Sequence, residues 1–330
     1  MCAKSRLTFF VMILTLVVTL SCSVASCQSV TQNRLDPVMF LASLIDQREE
    51  GSHYALAKNV IPVFAQFGLD TSIFDHYKGM WGWSDNIGVS VLEEDLSVQV
   101  LPVPDRRNVI TYAVLRLNVE SEGLALIFER EVSSDEWVFT GWFPCAESGF
   151  SWELDSEVAF AQVQDDWYLR VSGRRDHGTE RQSEQTDWYD LTNRTHALGY
   201  MSLMHTMRGD KDDWLGHSIS STDTLVYKDG KVTLAVSYSG ILMENEAVLE
   251  RDSYDYISEE FYAQDWQVEY VLDSKGSFII EDEQVRRRMW PISLENPDFN
   301  MSESIPAKDI FTLFPDIQKT IEDKAAAKNE

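Results

Sequence analysis

Three carboxylates alternate in one short segment of the sequence and could carry out acid–base chemistry. Glu153, Asp155 and Glu157 are separated by Leu154 and Ser156. If the segment is a β-strand, alternate side chains share a face, so all three carboxylates point the same way. Two carboxylates on one face can act as nucleophile and general acid/base in glycoside hydrolysis, provided that one stays protonated while the other is ionised.

This E-x-D-x-E pattern resembles the catalytic strand of jelly-roll glycoside hydrolases of the laminarinase and lichenase type. The resemblance implies that Glu153 is the nucleophile, that Asp155 tunes it and that Glu157 is the acid/base. In a chain with 54 acidic residues, three alternating acids also fit a solvated strand face. Leu154 and Val158 place the apolar side of such a strand opposite the carboxylates, which favours acids that point outward. A hydrolase is therefore the alternative hypothesis, and a non-enzymatic role is favoured.

A cysteine near the N-terminus is a second candidate functional site. Residues 7–20 are apolar apart from threonines and follow Lys4 and Arg6. A membrane-spanning helix needs about 20 apolar residues, so this shorter run is typical of a cleavable signal peptide. Residues 24–27, Val-Ala-Ser-Cys, resemble the lipobox of bacterial lipoproteins. The resemblance implies cleavage before Cys27 and a diacylglyceryl thioether on its sulfur.

The predicted location is the cell envelope, where this lipid holds the protein to a membrane. Gln28 follows the cysteine; in lipoproteins of diderm bacteria an Asp there favours the inner membrane, so the resemblance favours the outer membrane where the cell has one. The alternative is an ordinary secretory signal cleaved after Ala25, which follows the small residues that such a peptidase accepts.

Composition excludes several classes of partner. The formal net charge is −26, and 44% of residues are hydrophobic, so the chain folds but repels nucleic acids and anionic lipid surfaces. The spacing of the 6 histidines fits no zinc site, and the sequence contains neither a phosphate-binding glycine loop nor a G-x-S-x-G motif. We therefore predict no cofactor and no metal, and the expected ligand is a small molecule, a glycan or a protein.

The chain divides by pattern into five parts. These are a signal peptide at 1–26, a lipidated cysteine with a short tether at 27–35, a helical segment at 36–78, a β-rich domain at 79–291 and a helical tail at 292–330. In the β-rich part, about a dozen short strands with turn residues between them imply an antiparallel sandwich or barrel. We predict a mostly β fold with helical N-terminal and C-terminal flanks.

Several finer expectations follow from the same patterns. Leu198, Met201 and Met204 are spaced as on a helix, which predicts a helical insertion near 191–207. The polar run Gly173–Asp187 predicts a long loop, and the apolar residues at 89–91 and 96–100 predict a hairpin. Gly79-Met80-Trp81 resembles the G-x-W that opens lipocalin-type barrels, which implies a ligand cavity, whereas Trp81 fits a plain core residue equally well. The basic run 286–288 is expected to pair with acids of this chain.

The lipobox generates the first prediction. Cys27→Ser removes the thiol that forms the thioether, so we expect the precursor to lose labelling by radioactive palmitate and to stay unprocessed. The measurement is autoradiography and immunoblotting of cells that express each form. A wild-type protein that is fully soluble, with Ser26 at its mature N-terminus, contradicts the lipoprotein hypothesis.

Overall fold

The protein is mostly β, as the sequence predicts, with two open antiparallel sheets of six and eight strands and short helices near both ends. The computed structural model describes residues 35–78, 87–93, 96–102, 109–119, 122–145, 158–178, 181–206, 215–228, 231–246, 257–296, 307–317 and 319–320. Neither sheet closes into a barrel. Residues 79–86, with the G-x-W step, lie outside the described residues.

Short helices form the N-terminal flank. They are α1 (Pro37–Ile45), α2 (Ala57–Gln66), a 3₁₀ turn (Thr71–Phe74) and α3 (Asp75–Lys78), with strand β1 (Tyr54–Leu56) between α1 and α2. The Asp36 carboxylate accepts from the backbone N–H groups of Val38 and Met39, at 2.9 and 3.1 Å, and caps α1. No helix among the described residues is long and apolar enough to cross a membrane.

The first sheet contains β1 and five further strands. These are β2 (Gly88–Ser90), β3 (Leu96–Pro102), β4 (Val109–Val119), β5 (Glu122–Glu131) and β6 (Val138–Cys145). Its order is β1-β2-β4-β5-β6, and β3 also pairs with β4. The hairpin predicted at 89–100 is therefore wrong. Strands β2 and β3 lie end to end along one edge of β4, because β4 is long enough to pair with both.

The second sheet is an uninterrupted meander in which each strand pairs with the next along the chain. Its strands are β7 (Val158–Val163), β8 (Asp166–Gly178), β9 (Arg181–Asp190), β10 (Thr195–Thr206), β11 (Leu215–Lys228), β12 (Lys231–Glu246), β13 (Ile257–Leu272) and β14 (Phe278–Ile279). Adjacent strands pair as hairpins on both sides of residues 164–165, 229–230 and 273–277.

The helical insertion predicted near 191–207 is wrong, because most of that segment is strand β10. Two irregularities in its pairing with β9 explain the helix-like spacing. One lies between His196 and Leu198, and the other between Met201 and Leu203. A β-bulge adds a residue to one strand and shifts the alternation of faces. Apolar residues three or four apart in β10 therefore fall on the same side of the sheet.

The long loop predicted at Gly173–Asp187 is also wrong. Strands β8 and β9 continue through it as a hairpin, in which Arg174 lies opposite Glu184. Ser183, Gln185 and Asp187 are buried on β9 despite their polarity. Backbone pairing does not depend on side-chain polarity, and buried polar residues hide the alternation that usually reveals a strand.

Three cores hold the layers together. The helix–sheet core joins the N-terminal helices to one face of the first sheet, through residues such as Phe40, Phe64 and Leu115. The inter-sheet core joins the opposite face to β7, β8 and β9, through residues such as Val114 and Leu169. Arg116 crosses this second core, and its Nη1 donates to the carbonyl oxygen of Ser172 at 3.2 Å.

The C-terminal core fills the other face of the second sheet. There α4 (Glu283–Met289), a 3₁₀ turn (Trp290–Ile292) and α5 (Ala307–Leu313) cover β12 and β13. The Tyr168 ring of β8 lies 5.6 Å from the Phe278 ring of β14, although six pairings separate the two strands. The sheet therefore curls around this core without closing.

Two residues of the basic run near the C-terminus pair with an acid of this chain, as expected, and the third bonds to the backbone. Glu283 accepts from Arg286 and from Arg287, the latter at 3.0 Å. Arg288 Nε donates to the carbonyl oxygen of Leu313 at 3.0 Å, and its guanidinium lies 4.8 Å from the centre of the Trp266 ring. Arg288 thus fixes the end of α5 against the sheet.

Gly240 generates a stability prediction. A Cβ at this position of β12 would lie 2.6 Å from the Phe314 ring and 2.7 Å from the Trp266 ring. We expect Gly240→Ala to lower the free energy of unfolding by about 1–3 kcal/mol through overpacking, measured by urea denaturation. Ser239→Ala, at the neighbouring exposed position, is the control and is expected to stay within about 0.5 kcal/mol. Equal stabilities of the two variants contradict the close packing of Phe314 on β12.

Candidate functional site

The predicted site residues lie outside the part of the chain that the structure describes. These are the lipidation residue Cys27 and the acidic residues Glu153, Asp155 and Glu157. Val158, which begins β7, packs against the inter-sheet core, as expected for the apolar side of that segment. The lipoprotein and hydrolase hypotheses both stay predictions.

A groove crosses the outer face of β11, β12 and β13, opposite the C-terminal core. It encloses about 490 Å³ and is open to solvent. Its exposed side chains form two cross-strand rows. The rows are Ser220–Ser239–Asp265 and Thr222–Ser237–Gln267. We call this surface the hydroxyl groove.

The depth of the hydroxyl groove comes from the shortness of its side chains. Ser221, Tyr238 and Trp266 also line it, but alternate residues of a strand face opposite sides, so these three contribute backbone to its floor. The Tyr238 and Trp266 rings are buried in the C-terminal core, stacked 5.3 Å apart at 9°. A packed aromatic layer therefore supports the floor from behind.

The chemistry of the hydroxyl groove is nearly neutral hydrogen bonding. Serine and threonine hydroxyls and the Gln267 amide both donate and accept, and Asp265 accepts. Asp265 is the single charged residue that lines the groove, whereas the whole chain carries 54 acidic residues. Such a surface suits a ligand with many hydroxyl or amide groups rather than an anion or an apolar molecule.

A buried polar network inside the second sheet is a separate candidate. Arg170 Nε on β8 donates to Asp223 Oδ2 on β11 at 2.8 Å, and the Tyr200 hydroxyl on β10 donates to the same oxygen at 2.5 Å. The Tyr238 hydroxyl is hydrogen-bonded to that of Tyr270. A buried charge is costly unless it is paired and hydrogen-bonded, and here each charged group has a partner on another strand. The network is therefore best explained as a structural one that fixes the curvature of the sheet.

Burial controls the protonation of these tyrosines. It raises the pKa of Tyr200 and of Tyr238 well above the ordinary value, and the nearby Asp223 carboxylate adds to the effect on Tyr200. Burial also raises the pKa of Tyr270 to about 12. The three phenols are therefore neutral at physiological pH and act as hydrogen-bond donors and acceptors rather than as bases.

The third candidate is a histidine held by a buried carboxylate. Asp187 Oδ1 accepts from Gln185 Nε2 at 2.8 Å and lies 2.9 Å from His196 Nε2. Gly199 leaves room for this contact, because a Cβ there would lie 2.9 Å from the same oxygen. An aspartate that orients a histidine recurs in catalytic triads. Within the described ranges, however, the hydrogen bonds give His196 no serine or cysteine partner, and no three metal-ligating residues cluster.

Comparison with known proteins adds no relative to this chain. No protein-family model, no characterised protein and no solved structure gives a match.

The sequence patterns did not reveal the hydroxyl groove. Its strands were predicted in part, but cross-strand register decides which polar residues meet. The available signals were the run of hydroxyl residues in 218–224 and the alternation of serine with larger residues in 236–239. The Asp187–His196 pair was missed because Asp187 fell in a predicted loop and His196 in a predicted helix.

The buried tyrosines generate a pH prediction. Their folded-state pKa values lie above those of the unfolded chain, so their stabilising contribution is complete below pH of about 10 and is lost as pH rises further. We expect stability to fall above that pH by up to about 1.4 kcal/mol per pH unit for each such tyrosine. Tyr238→Phe removes one of these phenols, so its melting temperature should decline less steeply than that of the wild type between about pH 9 and pH 12. Equal slopes in Tyr238→Phe and the wild type contradict the burial argument.

Proposed function

We propose that the protein is an exported, lipid-anchored protein of the cell envelope with a non-enzymatic binding role, and that the hydroxyl groove is its binding surface. The observation that carries the proposal is the meeting of four hydroxyl side chains, an amide and one carboxylate on a rigid three-strand floor. The lipobox at Cys27 supports the anchor, and an outer-membrane location is favoured where the cell has one.

The proposed ligand is a neutral glycan chain. Each sugar hydroxyl both donates and accepts, so it can exchange hydrogen bonds with serine, threonine and glutamine without leaving a buried polar group unpaired. The net charge of −26 disfavours anionic polymers. Enclosed ligand sites are mostly lined by hydrophobic side chains, whereas this groove is open and its exposed side chains carry hydroxyl, amide and carboxylate groups, which suits an extended chain better than a compact small molecule.

The size of the groove fits this class of ligand. Ligand sites usually measure about 300–1,000 Å³, and the groove encloses about 490 Å³. Neighbouring strands lie about 4.8 Å apart, and residues on one face repeat about every 6.8 Å along a strand. The two rows therefore present hydrogen-bonding groups over about 10 Å by 7 Å, a span that can contact more than one polar group of an extended chain.

The test is binding of the lipid-anchored protein, purified in detergent, to insoluble neutral polysaccharides: β-1,3-glucan, β-1,4-glucan and chitin. We expect cosedimentation with at least one of them. Ser237→Tyr should lower the affinity about tenfold or more, since loss of about 1.4 kcal/mol is a factor of ten and tyrosine is well tolerated in strands.

The matched control is Val226→Tyr, which places the same ring on the same face of β11 outside the groove. It is expected to bind as the wild type does. Equal binding by Ser237→Tyr removes the groove from the proposal, and failure of the folded wild type to bind any of the three removes the neutral-glycan ligand. We also expect no release of reducing ends. Cleavage that disappears in both Glu153→Gln and Glu157→Gln would replace this proposal with the hydrolase alternative.

A further inference from the structure

Helix α1 has an outward face unlike that of the other described helices. Its nine residues include no charged side chain. Phe40 and Leu44 are fully buried in the helix–sheet core, whereas Val38 and Met39 are 61% and 63% exposed, and Ala42 is exposed beside them. A helix on a protein surface normally turns polar residues to water.

Helices α2 and α4 follow that rule, and on α5 the exposed residues are mixed, Phe311 beside Thr312. Lys58 and Gln66 are exposed on α2, and Glu283 and Arg287 are exposed on α4. The exposed apolar face of α1 is therefore a property of this helix and not of the chain, in which 25% of residues are charged.

The position of this face in the chain indicates what covers it. Val38 and Met39 lie in the first turn of α1, at the end that the N-terminal tether enters. Leu35 is the eighth residue after the proposed lipidated Cys27, and eight residues span at most about 28 Å when fully extended. A lipid anchor on Cys27 thus keeps the first turn of α1 close to the bilayer surface.

We propose that the exposed face of α1, formed by Val38, Met39 and Ala42, docks onto the lipid bilayer beside the anchor. The inference rests on the proposed lipidation of Cys27. Apolar side chains of an interfacial helix are buried at the boundary between headgroups and acyl chains. The anchor supplies the attachment, and α1 fixes how the body sits on the membrane.

Local hydrogen bonding lowers the cost of this contact. The N–H groups of Val38 and Met39 are capped by Asp36 Oδ1, and Ser43 Oγ donates to the carbonyl oxygen of Met39 at 2.9 Å. Polar groups that are already hydrogen-bonded within the protein pay a smaller free-energy cost when they leave water. Because the net charge of −26 opposes an anionic surface, docking is expected to be stronger on zwitterionic than on anionic lipids.

The test uses the full lipidated protein, reconstituted into phosphatidylcholine vesicles, with an environment-sensitive dye on Met39→Cys. Acylation blocks Cys27, signal cleavage removes Cys2 and Cys22, and Cys145 is buried, so the new thiol is the reactive one. We expect a blue shift of emission on vesicles and quenching by lipids that carry a nitroxide near the headgroup. The matched control is Tyr227→Cys on the second sheet, where Tyr227 is 60% exposed, and it should show neither effect.

The outcomes separate this inference from the function on which it rests. Flotation of the protein with vesicles, without a blue shift or quenching at position 39, overturns docking and leaves the anchor in place. Failure to float overturns the anchor itself. A blue shift that depends on protein concentration and is insensitive to nitroxide lipids assigns the face to a second copy of the chain, and also overturns docking.

Discussion

The β4–β5 hairpin is apolar on both faces, and the layered structure depends on that constraint. Leu115 and Leu126 point to one side, whereas Val114 and Ile127 point to the other, and all four are fully buried. Fully burying such a side chain contributes roughly 1.5–3 kcal/mol, so a hairpin of this composition is stable only with a cover on each face. The N-terminal helices supply one cover, and β7, β8 and β9 supply the other.

The first sheet covers one part of the second sheet and leaves another part exposed to solvent. The first sheet packs on β7, β8 and β9 through the inter-sheet core, which leaves the outer face of β11, β12 and β13 to solvent. An outer face of this kind must be polar, and within the groove it is built mainly from short hydroxyl residues, with Asp265 as the charged residue. Because these side chains are short, the groove stays open.

Features that depend on local sequence could be predicted, whereas features that depend on contacts between distant parts of the chain could not. The beginning of the helical segment at residue 36 and the mostly β class depend on local signals, and the structure has a helix from Pro37 and a mostly β fold. The bulges of β10 and the buried polar residues of β9 depend on tertiary context, so a local pattern predicted a helix and a loop. The groove depends on the register between neighbouring strands, which aligns residues as distant in the chain as Ser220 and Asp265, and no local pattern contains the whole of that register.

The order of the layers determines where the two proposed surfaces, the hydroxyl groove and the exposed face of α1, lie relative to each other. Helix α1 covers one face of the first sheet, and the second sheet packs against the opposite face, because Leu115 and Val114 alternate along β4. Packed sheets lie about 10 Å apart, so the first sheet separates α1 from the sheet that carries the groove. The groove opens on the face of the second sheet that also packs on the first sheet, but at β11, β12 and β13, so the helix layer and the first sheet hold a bilayer against α1 at a distance from the groove. An anchored protein can in this way hold a glycan while its body rests on the lipid surface.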